Sequence, residues 1–127
     1  MNVNHVLLIF KSALEYADFK GINNLLADNC QYINVERNIL KTGKAEVYDF
    51  LNSIAKRTKD ENVAVYAHMM TLRGEIKEKE LFNEGQRGLA IAYNEIDNYA
   101  ICMFIELDSN NFINKIIVSN EIPSFRL

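Results

Sequence analysis

Five glycines, one proline and two cysteines are spread over 127 residues, and each scarcity closes off a class of chemistry. The glycines stand singly, at turns or within strands, so no glycine-rich loop is available to cradle a phosphate. Pro123 lies near the end and closes regular structure, and no proline- or glycine-rich linker divides the chain. Cys30 and Cys102 are isolated, in neither a metal-ligand nor a redox spacing. They read as reduced core residues, which fits a cytoplasmic setting. Basic charge is short as well: 14 Lys and Arg stand against 17 Asp and Glu, a net charge of −3. A nucleic-acid partner would call for a basic face. No apolar run approaches the ~18 residues of a membrane span, so no membrane partner is expected. The apolar run VLLIF at 6–10 has no basic segment before it and is interrupted by Lys11 and Glu15, which argues against a signal peptide.

A hydrophobic share of 49% beside 24% charged residues is ordinary for a globular chain, and residues 1–127 read as one domain. Val3, Val6, Leu7, Phe10, Ala13, Leu14 and Ala17 trace one helical face, with Asn2 or Asn4 as cap. Ile22, Leu25 and Leu26 carry a short second helix that ends in the Asp28-Asn29 pair. A strand over 30–36 follows, with Tyr32, Ile33 and Val35 as β-formers. Thr42 and Gly43 then cap a helix, and Glu46 sits in its first turn where the helix dipole favours a carboxylate. Its apolar stripe is Val47, Phe50, Leu51 and Ile54; Asp49, Asn52, Lys56 and Arg57 take the other side. Residues 58–62 read as a polar connector.

Beyond that point the helical period disappears. Strands are expected over 63–73, 86–93, 99–107 and 112–119, with a charged turn over 74–85 and a five-residue hairpin loop over 94–98. Hairpin symmetry sets Tyr93 opposite Tyr99, Ile91 opposite Ile101, Leu89 opposite Met103 and Arg87 opposite Ile105. Those residues take the inward face. The other face holds Gly88, Ala90, Ala92, Ala100, Cys102 and Phe104. Helices first and antiparallel strands afterwards mean an α+β fold with helices on one sheet face.

Three segments carry a resemblance: ADN at 27–29, TGKAEVYDFL at 42–51 and FIELDSNNFINKI at 104–116. In this order and spacing the chain resembles the nuclear transport factor 2-like superfamily, near its SnoaL-like and ketosteroid isomerase branches. The resemblance implies a cystatin-like cone, with N-terminal helices packed on a strongly curved, mainly antiparallel sheet around an internal pocket. It also implies a homodimer through the outer sheet face, here Ala90, Ala92, Ala100, Cys102 and Phe104, an apolar set that a monomer would not leave open. In the isomerases a carboxylate base follows the ADD-like motif on the first strand, and the matching position is Asn34. An amide cannot accept a proton near neutral pH. Their second carboxyl group, a donor to the developing oxyanion, matches Met103, and a thioether cannot stabilise an oxyanion. Isomerase catalysis is therefore not expected, nor is any cofactor.

The remaining polar candidates divide between ligand contact and plain structure. His68 on the 63–73 strand is either a general base or a structural, outward-facing residue, and the second reading is preferred. His5, near a helix start, reads as solvated. Tyr32, Tyr93 and Tyr99 either offer hydroxyls to a ligand or bond within the protein as buried tyrosines do. Arg87 on the inward face is an anion anchor or a strand-end partner of Glu84 or Glu106. Two function classes follow. One is a pocket for a small, largely apolar, possibly anionic ligand, lined by Tyr32, Asn34, Arg87, Tyr93, Tyr99, Met103 and Asn120. The other is an interaction module, of adaptor or immunity type, that uses the outer sheet face.

Overall fold

A computed structural model describes residues 2–34, 36–73, 85–122 and 125–127. The charged turn expected over 74–84, the strand residue Val35 and Pro123 lie outside the described residues. Helix α1 spans Val3–Tyr16, and the Asn2 side chain caps it by accepting the His5 N–H at 3.0 Å. Ala17 closes it in the left-handed region, φ 52°, with its N–H turned back to Ala13 and Leu14 carbonyls. Val6, Leu7, Phe10 and Ala13 are its buried face. A 3-10 turn, Asn23–Leu25, leads directly into strand β1, Leu26–Asn34.

Asp28 and Asn29 therefore lie in a strand and do not end a helix. Leu26 and Ala27 are buried while Asp28 and Asn29 point to solvent, and the pairing with a later strand slips between Leu26 and Gln31. The irregularity lets a polar pair bulge out of the sheet without carrying the core residues with it. A short strand β2, Ile39–Thr42, returns antiparallel to β1 around Asn38, whose φ is 53°. Four residues with half-exposed alternation are too few to register as a strand from periodicity alone.

Helix α2, Lys44–Asp60, starts at Gly43, whose φ of 93° a side chain would resist. Glu46 reaches back to accept the Thr42 N–H at 3.2 Å, so the first-turn carboxylate ties the helix to the end of β2. Val47, Leu51 and Ala55 are buried, with Phe50 and Ile54 flanking them. The helix takes in residues 58–60 of the stretch read as a connector: Thr58 Oγ1 donates to the Ile54 carbonyl at 2.9 Å, so its polarity is met within the helix.

Strands β3 (Val65–Leu72), β4 (Arg87–Tyr93), β5 (Tyr99–Leu107), β6 (Ile113–Ser119) and β7 (Phe125–Arg126) follow. The sheet order is β2-β1-β6-β5-β4-β3-β7; β1 and β6 run parallel and the other pairs antiparallel. Two helices on a mixed seven-stranded sheet make an α+β cone. Glu15 fastens α1 to β3: its carboxylate takes the Ala67 N–H at 3.0 Å and Lys11 Nζ at 2.6 Å. Burial alone would raise the Glu15 pKa, but these two bonds outweigh it and hold the carboxyl below its ordinary value. Among the described residues no helix is long and apolar enough to cross a membrane.

Leu89 pairs with Met103 and Ile91 with Ile101, as hairpin symmetry requires. The register then shifts, and Tyr99 faces Ala92 instead of Tyr93. One residue of slip moves a side chain to the opposite face. Tyr99 accordingly leaves the inward set and packs on the outer face against Phe125, ring centroids 5.3 Å apart.

Leu89, Ile91, Met103 and Ile105 join α1 and α2 in the main core. Met70, Leu72, Ala90, Cys102, Phe104 and Ile117 form a second core on the outer face. Of the five residues expected to meet a partner copy, Ala90, Ala92, Cys102 and Phe104 are fully buried within one chain, and Ala100 alone is exposed. The C-terminal segment helps to cover them. Phe125 packs on this cluster, β7 pairs with the end of β3, and the Glu121 carbonyl lies 3.5 Å from Cys102 Sγ. The apolar face that motivated a dimer is not open to water.

Gly88 makes that second core possible. A Cβ there would stand 2.5 Å from the Met103 carbonyl oxygen and 2.7 Å from the Phe104 ring. Gly88→Ala should therefore cost ~1–3 kcal/mol as overpacking. Gly21 has nothing within 4 Å of its Cβ position, so Gly21→Ala should stay within about 0.5 kcal/mol of wild type. Urea midpoints of the two variants, compared with wild type, check the contrast.

Candidate functional site

The helix-facing side of β1 presents Cys30, Tyr32 and Asn34 in succession, all buried. Sheet pairing sets Asn34 beside Val118 of β6 and Val118 beside Met103 of β5. Asn34 and Met103 thus share one cross-strand row, two strands and about 10 Å apart by ordinary strand spacing. Asn120 follows the end of β6, and its side-chain oxygen accepts Asn34 Nδ2 at 2.9 Å. The other end of the Asn34 amide accepts the Arg37 N–H at 3.3 Å, which braces the β1–β2 turn.

Tyr32 is 5% exposed and stacks at a tilt on Phe50 of α2, centroids 4.8 Å apart. Tyr93, half-buried at the end of β4, packs on the same core. Neither hydroxyl bonds to protein among the described residues, yet neither is a buried orphan: His68 Nε2 alone among them is a buried side-chain polar atom without a partner. Burial pushes both phenols above their ordinary pKa. The Tyr93 hydroxyl adds to the rise at Tyr32, and the Arg37 guanidinium opposes it at both. Arg37 itself is exposed, and its pull on the two phenols is smaller than the effect of burial.

No family model and no curated protein matches this sequence. Solved structures do. A protein of unknown function from Mesorhizobium loti, described as nuclear transport factor 2-like, superposes with a TM-score of 0.68 at 10% identity, over 94% of this chain and 91% of that one. A second such protein, from Cytophaga hutchinsonii, gives 0.61 at 17% identity, over 92% and 95%. A steroid delta-isomerase from Pseudomonas aeruginosa gives 0.62 at 14% identity, over 98% and 80%. The chain has the nuclear transport factor 2-like fold.

Within this nuclear transport factor 2-like cone, Tyr32, Asn34, Tyr93, Met103 and Asn120 all belong to its helix-facing side or its rim. Two other expected site residues do not join them. Tyr99 is on the outer face, for the register reason above. Arg87 is exposed at the start of β4, where Nη1 donates to Thr71 Oγ1 at 3.0 Å on the neighbouring strand. Its alternation is inward, yet the strand has already reached the rim, so the guanidinium ends in water and not in the cone. Of its two expected partners, Glu84 lies outside the described residues and Glu106 faces Lys115 across the strand pair.

His68 lies edge-on to Tyr99, centroids 5.9 Å apart, with Nε2 buried and unpartnered. It stands apart from the Tyr32–Tyr93 group, and His5 is exposed. Arg37 was missed by sequence reasoning. Its only signal is position, an arginine in a tight turn between two β segments, next to an asparagine that tolerates left-handed backbone. No cluster of three potential metal ligands occurs among the described residues.

Chemically, the arrangement supplies donors. Phenols whose pKa is raised stay protonated at neutral pH, so they donate hydrogen bonds and do not act as bases. Asn34 and Asn120 spend their amides on each other and on the turn.

The raised phenols set a pH dependence. Below pH ~10, the ordinary tyrosine value, both the folded and unfolded chains keep these protons. Above it the unfolded chain releases protons that the folded chain retains, so stability falls as pH rises. Urea midpoints measured from about pH 8 to pH 11 should decline. The Tyr32→Phe, Tyr93→Phe double variant should decline less; an identical slope would mean that these phenols are not the retained protons. A residual slope is expected from Tyr99, which burial and the Asp97 charge also raise.

Proposed function

We propose that this chain binds a small, largely apolar molecule inside the cone, with Tyr32, Asn34, Tyr93, Met103 and Asn120 around it, and that it does not perform isomerase-type catalysis. One observation carries the binding reading: the Tyr32 side chain is buried on the helix-facing side of β1, and its hydroxyl bonds to no protein group among the described residues. That hydroxyl is not sealed off, since among the described residues His68 Nε2 alone is a buried side-chain polar atom without a partner, so water or a ligand can reach Tyr32 and complete its bonding. The interaction-module alternative depended on an open outer face, and the burial of Ala90, Ala92, Cys102 and Phe104 removes its motive. Native mass spectrometry of protein purified from its source should show a mass excess that disappears on denaturation. A bare-chain mass, with no thermal shift from a library of apolar fragments, would overturn the binding reading.

The negative half rests on Asn34 and Met103, which the sheet places on one row of the inner face. That row offers neither a proton acceptor at Asn34 nor an oxyanion donor at Met103. Purified protein should leave a steroid enone at its uncatalysed rate. Asn34→Asp alone should add little, because the donor is still missing; clear wild-type turnover would refute the assignment of these two positions.

A further inference from the structure

We propose that the cleft between the end of α1 and the turn that follows it is a second binding site, for a small organic cation: an ammonium group on a short apolar body. It shares no residue with the site inside the cone and goes beyond that reading. The cleft has a volume of about 250 Å³ and is lined by Ile9, Ser12, Ala13, Asp18, Gly21 and Ile22. Helical geometry sets it there. Val6, Leu7, Phe10 and Ala13 turn α1 toward the core, which leaves Ile9 half-buried on one flank and Ser12 exposed. Ala17, in the left-handed region, then turns the chain back, and the Asp18 N–H donates to the Ala13 carbonyl at 2.9 Å. Gly21 leaves room on the far wall, since no atom lies within 4 Å of its Cβ position.

The walls select the ligand. Ile9, Ala13 and Ile22 supply apolar surface, and Ala13 and Ile22 belong to the main core, so the floor is firm. Asp18 is the one charged residue in the lining, and it stands at the open side of the cleft. Its Oδ1 accepts the Lys20 N–H at 3.1 Å, which orients the carboxylate and leaves the second oxygen to accept from a ligand. The helix brings no competing cation: the last turn of α1 has no basic residue, and Lys11 is paired with Glu15 at 2.6 Å. The same end of α1 carries the negative pole of the helix dipole. Tyr16, one turn beyond Ser12 and well exposed, adds an aromatic face that attracts cations. An anion meets repulsion here, and a neutral molecule gains no charge-assisted bond. The volume lies below the ~300 Å³ at which drug-sized pockets begin, so the ligand is small.

Amide NMR titration of the isotope-labelled full chain with phenethylamine, and with the uncharged phenethyl alcohol, tests this. Both should shift amides within residues 9–22, around the lining of the cleft. The amine should bind about threefold more tightly than the alcohol, the return expected of one exposed ion pair. That preference should fade in ~1 M salt, where screening is strong. Asp18→Asn keeps an oxygen for the Lys20 N–H and should bind amine and alcohol alike. Asp28→Asn makes the same change of charge at an exposed position of β1 and should match wild type. The amide spectra report whether each variant folds, and the salt series decides on wild type alone. Equal binding of the two probes, an amine preference that survives Asp18→Asn or high salt, shifts centred elsewhere, or no shift at millimolar concentrations overturns the site.

Discussion

The parallel pairing of β1 with β6 joins the helical half of the chain to its strand-rich half. It brings Tyr32 beside Ile116 and Asn34 beside Val118, residues separated by most of the sequence. Closing so long a loop costs entropy that local contacts cannot return, so the pairing depends on what it buries. It buries much: Cys30, Tyr32, Ile113, Ile116 and Val118 all lie in the main core. The polar bond between Asn34 and Asn120 forms at the end of this pair, where the two strands leave the sheet. The candidate site is thus a consequence of strand pairing, placed where the apolar row runs out and backbone and amides take over.

The sheet faces were legible from hairpin pairing, because β4 and β5 are near-continuous apolar runs that carry no polar alternation of their own. Leu89, Ile91, Met103 and Ile105 could only share a face, and they do. Tyr99 was not legible, since alternation carries no sign of a register shift next to a hairpin loop. Arg87 shows a different limit: parity tells which face a residue takes, but not how far along the strand the core extends. The outer face was misjudged for a third reason. Its cover comes from Glu121 and Phe125, residues beyond the expected last strand, which had no periodicity to announce them. Arg37 combines these limits, because a turn residue has neither face nor depth until the strands around it are paired.

Within the site, burial and charge work against each other on the same groups. Low dielectric surroundings favour neutral phenols, while the guanidinium at the mouth favours phenolates, and burial is the larger effect at both Tyr32 and Tyr93. The outcome is a pair of neutral phenols. Neutral phenols donate hydrogen bonds and do not abstract protons. Recognition follows from this chemistry more readily than turnover does.

The amide at Asn34 then acquires a positive reason. A carboxylate there could still accept the Arg37 N–H, but it would place a negative charge against the turn that carries the guanidinium. It would also lack the N–H that Asn120 accepts, leaving that bond unmade. The amide makes the same backbone bond and donates to Asn120 as well, while contributing no charge. Asn34 thus braces the turn and the end of β6 as a neutral group.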